Sequence, residues 1–256
     1  MDRPTEFMMI VHGTRAHGMA RRRHLQLPDG FSYHKAEWLE TDQDPALSPT
    51  AFLIEQPAGT VLAPHFHRQN QFQVMVAGGG TIGRHALGPV TVHYAGAYTG
   101  YGPLIAGPQG LSYFTIRSVH DAGAMMVSTD RARMIRGPKR HETTAPHAPL
   151  ADAALAALSA VERVDLVAPT GDGLAVIVTR IPPRGRVELL DPAGTLGQFH
   201  MVLAGRLVHE GRALGTWEMV YVSADAGAAV LCADDTGAEV LTMQMPPTAD
   251  EYRTAA

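Results

Sequence analysis

The chain has 256 residues, 45% hydrophobic and 18% charged, which excludes a disordered polymer and allows one large or two small cores. A formal net charge of −4 offers no broad attraction for phosphate backbones or anionic lipid, so neither nucleic acid nor membrane is expected as a partner. The single cysteine, Cys232, excludes an internal disulfide and a cysteine-based zinc site.

The apolar stretch Met8–Val11 is too short for a signal peptide, and no run reaches the roughly 18 apolar residues of a membrane helix. A cytoplasmic location is the expectation. Along the first 45 residues, Met19 to Leu27 reads as a loop or arm, with the basic run Arg21–Arg23 solvated, and Phe31 to Trp38 reads as a strand. Asp44-Pro45 and Ser48-Pro49 mark the entry to the first strand-rich stretch.

From residue 50 the pattern is short strands: Thr50–Glu55, Gln71–Val76, Val90–Tyr94 and Leu111–Ile116, rich in β-branched and aromatic residues. Pro57-Ala58-Gly59, Gly78-Gly79-Gly80, Gly88-Pro89 and Gly107-Pro108 separate them, and the triple glycine reads as a hairpin turn. Arg131 to Pro149, charged and proline-rich, reads as linker. Ala151 to Val161 is alanine-rich, with Leu155 and Leu158 spaced for one helix. Strands resume at Leu174–Thr179, Phe199–Leu203, Glu218–Val222 and Val240–Met243.

The two strand-rich stretches are related. Gln71-Phe-Gln-Val-Met-Val-Ala-Gly78 matches Gln198-Phe-His-Met-Val-Leu-Ala-Gly205, and Gly83-Arg84 to Gly88 matches Gly211-Arg212 to Gly215 with one deletion. The offset of about 127 residues is half the chain, too long for a solenoid period, so two copies of one domain are expected.

Within the first copy, Gly59-Thr-Val-Leu-Ala-Pro-His65-Phe-His67-Arg-Gln-Asn-Gln71-Phe-Gln-Val-Met-Val-Ala-Gly78 resembles the first signature of the cupin superfamily. That signature runs glycine, five residues, His-x-His, three or four residues, Glu, six residues, glycine. Every spacing fits, with Gln71 in place of the acid. The repeat extends the resemblance over most of the chain. It implies an all-β fold: two cupin-type β-sandwich or jelly-roll barrels in tandem, with a short linker helix. The domains would be an N-terminal arm and strand over 1–45 packing on the first cupin, cupin 1 over 46–130, a linker over 131–168, cupin 2 over 169–248 and a tail over 249–256.

The resemblance also implies a divalent transition metal (Fe, Mn, Ni, Cu or Zn) on His65 and His67. Residues two apart on a strand share a face, and imidazole suits all five ions. Gln71 would be a weak third ligand or a hydrogen-bond partner. The second cupin signature normally adds a histidine, but the aligned stretch Gly96-Ala-Tyr98-Thr99-Gly-Tyr101 puts Thr99 there. Tyr101 is the candidate for orienting substrate or giving a proton. Tyr98, Thr99, Tyr101, Gln73 and Arg117 are candidates for substrate contact, Arg117 as a partner for a carboxylate. His85 and His93 lie on neighbouring strands, and His93 is a possible inward residue. Three readings of the pair stay open: a metal site, a metal-free pocket, and a relic. The corresponding functions are a metal-dependent enzyme of oxygenase type acting on a small organic molecule, a metal-free binding module, and a purely structural protein. In the second copy Leu189-Leu-Asp191-Pro replaces the histidine motif, so that half reads as structural, with His200 a strand histidine and a homodimer surface possible.

Overall fold

The computed structural model describes residues 8–27, 30–40 and 49–253. Asp44-Pro45 and Ser48, expected at the entry to the first repeat, lie outside the described residues, as do the last three positions. The chain divides into two compact units, residues 16–148 with 248–256, and residues 1–15 with 149–247.

In chain order, the strands up to the linker are β1 (Ile10–Gly13), β2 (Arg22–Gln26), β3 (Ser32–Leu39), β4 (Thr50–Gln56), β5 (Val61–Leu62) and β6 (His65–Phe66). They continue with β7 (Gln71–Ile82), β8 (His85–Leu87), β9 (Val92–Ala95), β10 (Leu104–Arg117), β11 (Met125–Met126) and β12 (His141–Thr143). Strands β2 to β12 build the first unit. Its main sheet runs β12-β9-β7-β10-β4-β3-β2, with β5 on β10 and β8 on β7, while β6 pairs with β11. All these pairings are antiparallel. The path has two ends and does not close into a barrel, so the fold is an open sandwich.

Alternation sorts β7 and β10 into two faces. Phe72 and Phe114 turn one way, where Phe114 meets Trp38 edge-on at 5.1 Å and Phe72 meets Tyr94 at 5.3 Å. Gln71, Gln73, Tyr113, Thr115 and Arg117 turn the other way. The register sets Thr115 opposite Gln73 and Ile116 opposite Phe72, so one further step brings Arg117 opposite Gln71.

The expected Gly78-Gly79-Gly80 turn lies instead inside β7, and β10 runs through Gly107-Pro108. At Gly78 a Cβ would overlap the carbonyl of Gly110, and at Gly80 that of Ile105. The glycines therefore serve close strand approach, and the turn falls at Gly83 and Arg84.

The second unit contains β13 (Glu162–Val167), β14 (Ala175–Ile181), β15 (Arg186–Glu188), β16 (Gln198–His209), β17 (Arg212–Leu214), β18 (Met219–Val222) and β19 (Val230–Gln244). The sheet order is β1-β18-β16-β19-β14-β13. The repeat is visible in detail: a Cβ at Gly205 would overlap the carbonyl of Gly237, as at Gly78 and Gly110.

Three expectations about segments change. The N-terminal strand β1 pairs with β18 of the second unit, Ile10 opposite Val222 and His12 opposite Val220, whereas Arg22–Gln26 and Ser32–Leu39 form strands of the first. There Ile10 packs, half-buried, against the core of that unit, and the edge of β18 is covered. The stretch read as linker contributes β12 to the first sheet and β13 to the second, and its helix spans only Asp152–Ala156, with β13 beginning at Glu162. The C-terminal helix Asp250–Arg253 belongs to the first unit, where the buried Tyr252 packs on Tyr98 at 5.0 Å between ring centroids.

Candidate functional site

A cavity of about 540 Å³ opens in the first unit. Leu25, Phe31, Tyr33, Phe52, Ile54, Leu62 and Tyr113 give it apolar and aromatic walls, and His65, His67, Gln73, Thr115, Arg117 and Asp121 give it polar atoms. Lys35, Glu37, Glu40 and His120 also line it, so apolar and polar or charged residues share the wall about equally, and apolar surface with convergent polar groups is the character of a small-molecule site.

His65 is held by its backbone, which exchanges hydrogen bonds with Tyr101 at 3.1 and 3.0 Å. Its Nδ1 lies 2.8 Å from the Ala63 carbonyl, which accepts only, so Nδ1 carries the proton and Nε2 is an acceptor. The Tyr101 hydroxyl, 2.9 Å from Nε2, is the donor to it. The Tyr101 oxygen in turn accepts from Gln71 Nε2. Gln71 Oε1 accepts twice from Arg117, from Nε at 3.0 Å and from Nη2 at 2.8 Å. The directions along Arg117, Gln71, Tyr101 and His65 are therefore fixed, each donor polarising the next.

His67 follows a second route. Its Nδ1 donates to Asp121 Oδ1 at 2.8 Å, while Arg117 Nη2 lies 3.1 Å from Nδ1 and 3.4 Å from Nε2. Asp121 also accepts from the backbone N–H groups of Arg68 and Gly123, both at 2.9 Å. The two imidazoles meet edge-on, with centroids 5.4 Å apart. Arg117 Nη1 has no partner among the described residues.

Burial keeps both rings neutral. It lowers His65 to about 3, helped by its neighbour His67, and His67 to about 4, helped by Arg117 and opposed by Asp121. For Asp121 burial pulls upward, but the His67 hydrogen bond and charge and then Arg117 outweigh it, holding the carboxyl well below its ordinary range. Burial pushes the Tyr101 phenol well up and the Arg117 guanidinium down.

The sequence candidates separate into three groups. His65, His67, Gln73 and Arg117 line the cavity. Gln71 and Tyr101 lie beneath His65, tied to it by hydrogen bonds rather than lining the space. Tyr98 and Thr99 are away from it: Tyr98 packs with Phe66, Met125 and Tyr252, and Thr99 Oγ1 accepts from the backbone of Arg140. His93 is buried beside the Tyr101 ring, with Nδ1 2.8 Å from Thr143 Oγ1 and Nε2 without a partner among the described residues. Asp121 and Lys35 are cavity residues that the sequence pattern does not single out. Asp121-Ala-Gly123 carries a turn signal, a carboxylate accepting from the N–H two residues on, but nothing local ties it to His67.

The cupin signature implies a metal, and the donors present allow a test. In favour, both Nδ1 atoms are anchored, which leaves both Nε2 atoms as potential ligands. Against it, Gln71 Oε1 is consumed by Arg117, and the Tyr101 hydroxyl already occupies His65 Nε2. No third histidine, cysteine or carboxylate joins His65 and His67 within 4.8 Å among the described residues. A buried guanidinium beside His67 would repel a divalent ion, and Asp121 balances only that one charge. The set does not fit a tightly held divalent metal.

Compared by sequence, the chain matches no protein-family model and no curated protein. Solved structures are similar in fold. An oxalate decarboxylase of Lactobacillus farciminis in its formate complex aligns at TM-score 0.58 and 13% identity, over 97% of this chain and 89% of that one. A Nostoc punctiforme protein provisionally named a dioxygenase aligns at 0.56 and 11%, over 92% and 78%. The pirin YhhW of Escherichia coli, in complex with nickel(II), aligns at 0.53 and 15%, over 94% and 100%. The chain has the fold of the cupin superfamily. No helix among the described residues is long and apolar enough to cross a membrane.

Proposed function

We propose that the first cupin is a metal-free pocket for a small organic anion, a carboxylate or similar oxyanion on an apolar or aromatic body. The observation that carries this reading is Arg117, a buried guanidinium in the cavity wall whose Nε and Nη2 are spent on Gln71 while Nη1 has no partner among the described residues. A planar guanidinium suits an oxyanion, and the low-dielectric setting strengthens the pairing. Asp121 offsets the charge at a distance but takes no hydrogen bond from Arg117, because His67 and two backbone N–H groups occupy its oxygens, so Nη1 is left to a ligand. The ligand's body would lie against Phe31, Tyr33, Phe52, Leu62 and Tyr113. The reading is of a binding module, a sensor or carrier.

A second reading, a metal-dependent enzyme of oxygenase type, keeps one specific observation: both histidines have Nδ1 anchored, so an ion that displaced the Tyr101 hydroxyl from His65 would meet Nε2 of each ring. The likeness to the Nostoc and Lactobacillus proteins is one of fold.

Calorimetric titration of chelator-treated protein with benzoate and 3-phenylpropionate, and with their neutral amides, tests the proposal. Carboxylates are expected to bind and amides to bind at least about tenfold more weakly, with Arg117→Met removing the difference. Arg117→Lys, which keeps the charge, should retain part of it. Equal binding of acid and amide by the natural protein would overturn the reading.

A further inference from the structure

The second cupin has no counterpart of His65 and His67, yet its inner face carries histidines. His12 of β1 sits opposite Val220 of β18, and His200 of β16 sits opposite the same Val220 from the other side. Residues directly opposite in antiparallel strands share a face, and Val220 belongs to the core, so both histidines face inward. His209 ends β16 two residues beyond the core residue Leu207, which puts it on that face as well. None of these positions aligns with His65, His67 or Gln71.

The side chains converge. His12 Nε2 lies 3.1 Å from His209 Nδ1. With the Glu210 carboxylate they form the one group of three or more histidine, cysteine or acidic side chains, among the described residues, whose ligand atoms all lie within 4.8 Å of one another. A further imidazole nitrogen, His200 Nε2, is fully buried on the same face and has no partner among the described residues.

We propose that His12, His209 and Glu210 form a binding site for a zinc-like divalent transition ion, assembled by the N-terminal strand docking on β18. The nitrogen separation is that of two ligands on one ion. Metal–nitrogen bonds of about 2.0–2.1 Å put ligands about 2.9 Å apart at right angles and about 3.4 Å apart in a tetrahedron, and 3.1 Å falls between. Two imidazoles and one carboxylate are a donor set for Zn, Ni or Cu. Burial, and then neighbouring charge, lowers the proton affinity of His12, and burial does the same for His209, so both rings are ready as neutral ligands at pH 7. Without an ion, one N–H of the pair lies between His12 Nε2 and His209 Nδ1. On binding, the ring that carries that proton moves it to its other nitrogen, so the pair releases none. Arg212 opposes the incoming cation and the Glu210 carboxylate offsets it. Three protein ligands leave a position for water.

The site depends on residues of the second unit alone, so its test is independent of the function proposed for the first. Full-length protein without a polyhistidine tag, stripped with chelator, is titrated with zinc chloride by calorimetry and with cobalt(II) chloride by visible absorption. One equivalent of zinc is expected to bind at about micromolar or tighter dissociation constant, with cobalt giving the spectrum of a nitrogen- and oxygen-ligated ion. His12→Ala and His209→Ala should each weaken binding at least about tenfold and Glu210→Gln several-fold, while His65→Ala with His67→Ala leaves it unchanged. Should His209→Ala fail to fold, His12→Asn, at a half-exposed position, gives the deciding comparison. Absence of binding up to about 100 micromolar zinc, or binding unchanged by loss of His12, would overturn the proposal.

Discussion

Arg117 donates two hydrogen bonds to the amide oxygen of Gln71, from Nε at 3.0 Å and Nη2 at 2.8 Å. The same amide donates through Nε2 to the Tyr101 hydroxyl. An amide can accept on one side and donate on the other, which an ionised carboxylate cannot. The glutamine at the signature's acid position thus fits a site organised around a buried arginine.

Gln71→Glu is expected to weaken carboxylate binding by about tenfold or more, because the new charge neutralises Arg117. It also turns the Tyr101 proton away from His65. Calorimetry with benzoate measures the first effect. Unchanged affinity would show that Arg117 does not meet the ligand.

Tyr101→Phe leaves His65 Nε2 and Gln71 Nε2 buried without their shared partner. The expected loss is about 1–3 kcal/mol of folding stability, read from urea denaturation. Thr99→Ala, outside the cavity, should leave carboxylate affinity unchanged in the same preparation.

Acid should destabilise the fold through its buried histidines. The unfolded rings take up protons near pH 6.5, whereas burial holds folded His65, His93 and His200 at about 3 and His67 at about 4. Between these limits the unfolded chain binds more protons, so stability is full above pH 6.5 and falls progressively as the pH drops toward 4. The melting temperature should fall across that interval, and His200→Gln should flatten part of the slope.

Tyr252 joins the C-terminal helix to the first unit. Its hydroxyl donates to the Pro138 carbonyl at 2.6 Å and lies 2.9 Å from Lys139 Nζ, with its ring on Tyr98. Tyr252→Ala should cost about 3 kcal/mol, seen in chemical denaturation, with faster amide exchange near Lys139.

The architecture was legible because its glycines do structural work at fixed spacing. Gly78 and Gly205 each let two strands approach where a side chain would collide, and both stand in the matched segments of the repeat. Gln73 and Arg117, named from the sequence as ligand contacts, share one inner face through the register of β7 and β10. What stayed hidden depends on long-range pairing. Nothing within Ile10–Gly13 tells that it pairs with a strand some two hundred residues on, and nothing local to Asp121 points to His67. Tyr98 and Tyr101 look equivalent in a glycine-rich loop, yet one packs under the C-terminal helix and the other under His65.

The most direct measurement is the transition-metal content of the His12→Ala, His209→Ala double variant, purified without chelator, in which any bound ion must be sought at His65 and His67. The account predicts less than about a tenth of an equivalent, together with carboxylate binding as strong as in the natural protein. Close to one equivalent, lost on adding His65→Ala, would contradict it.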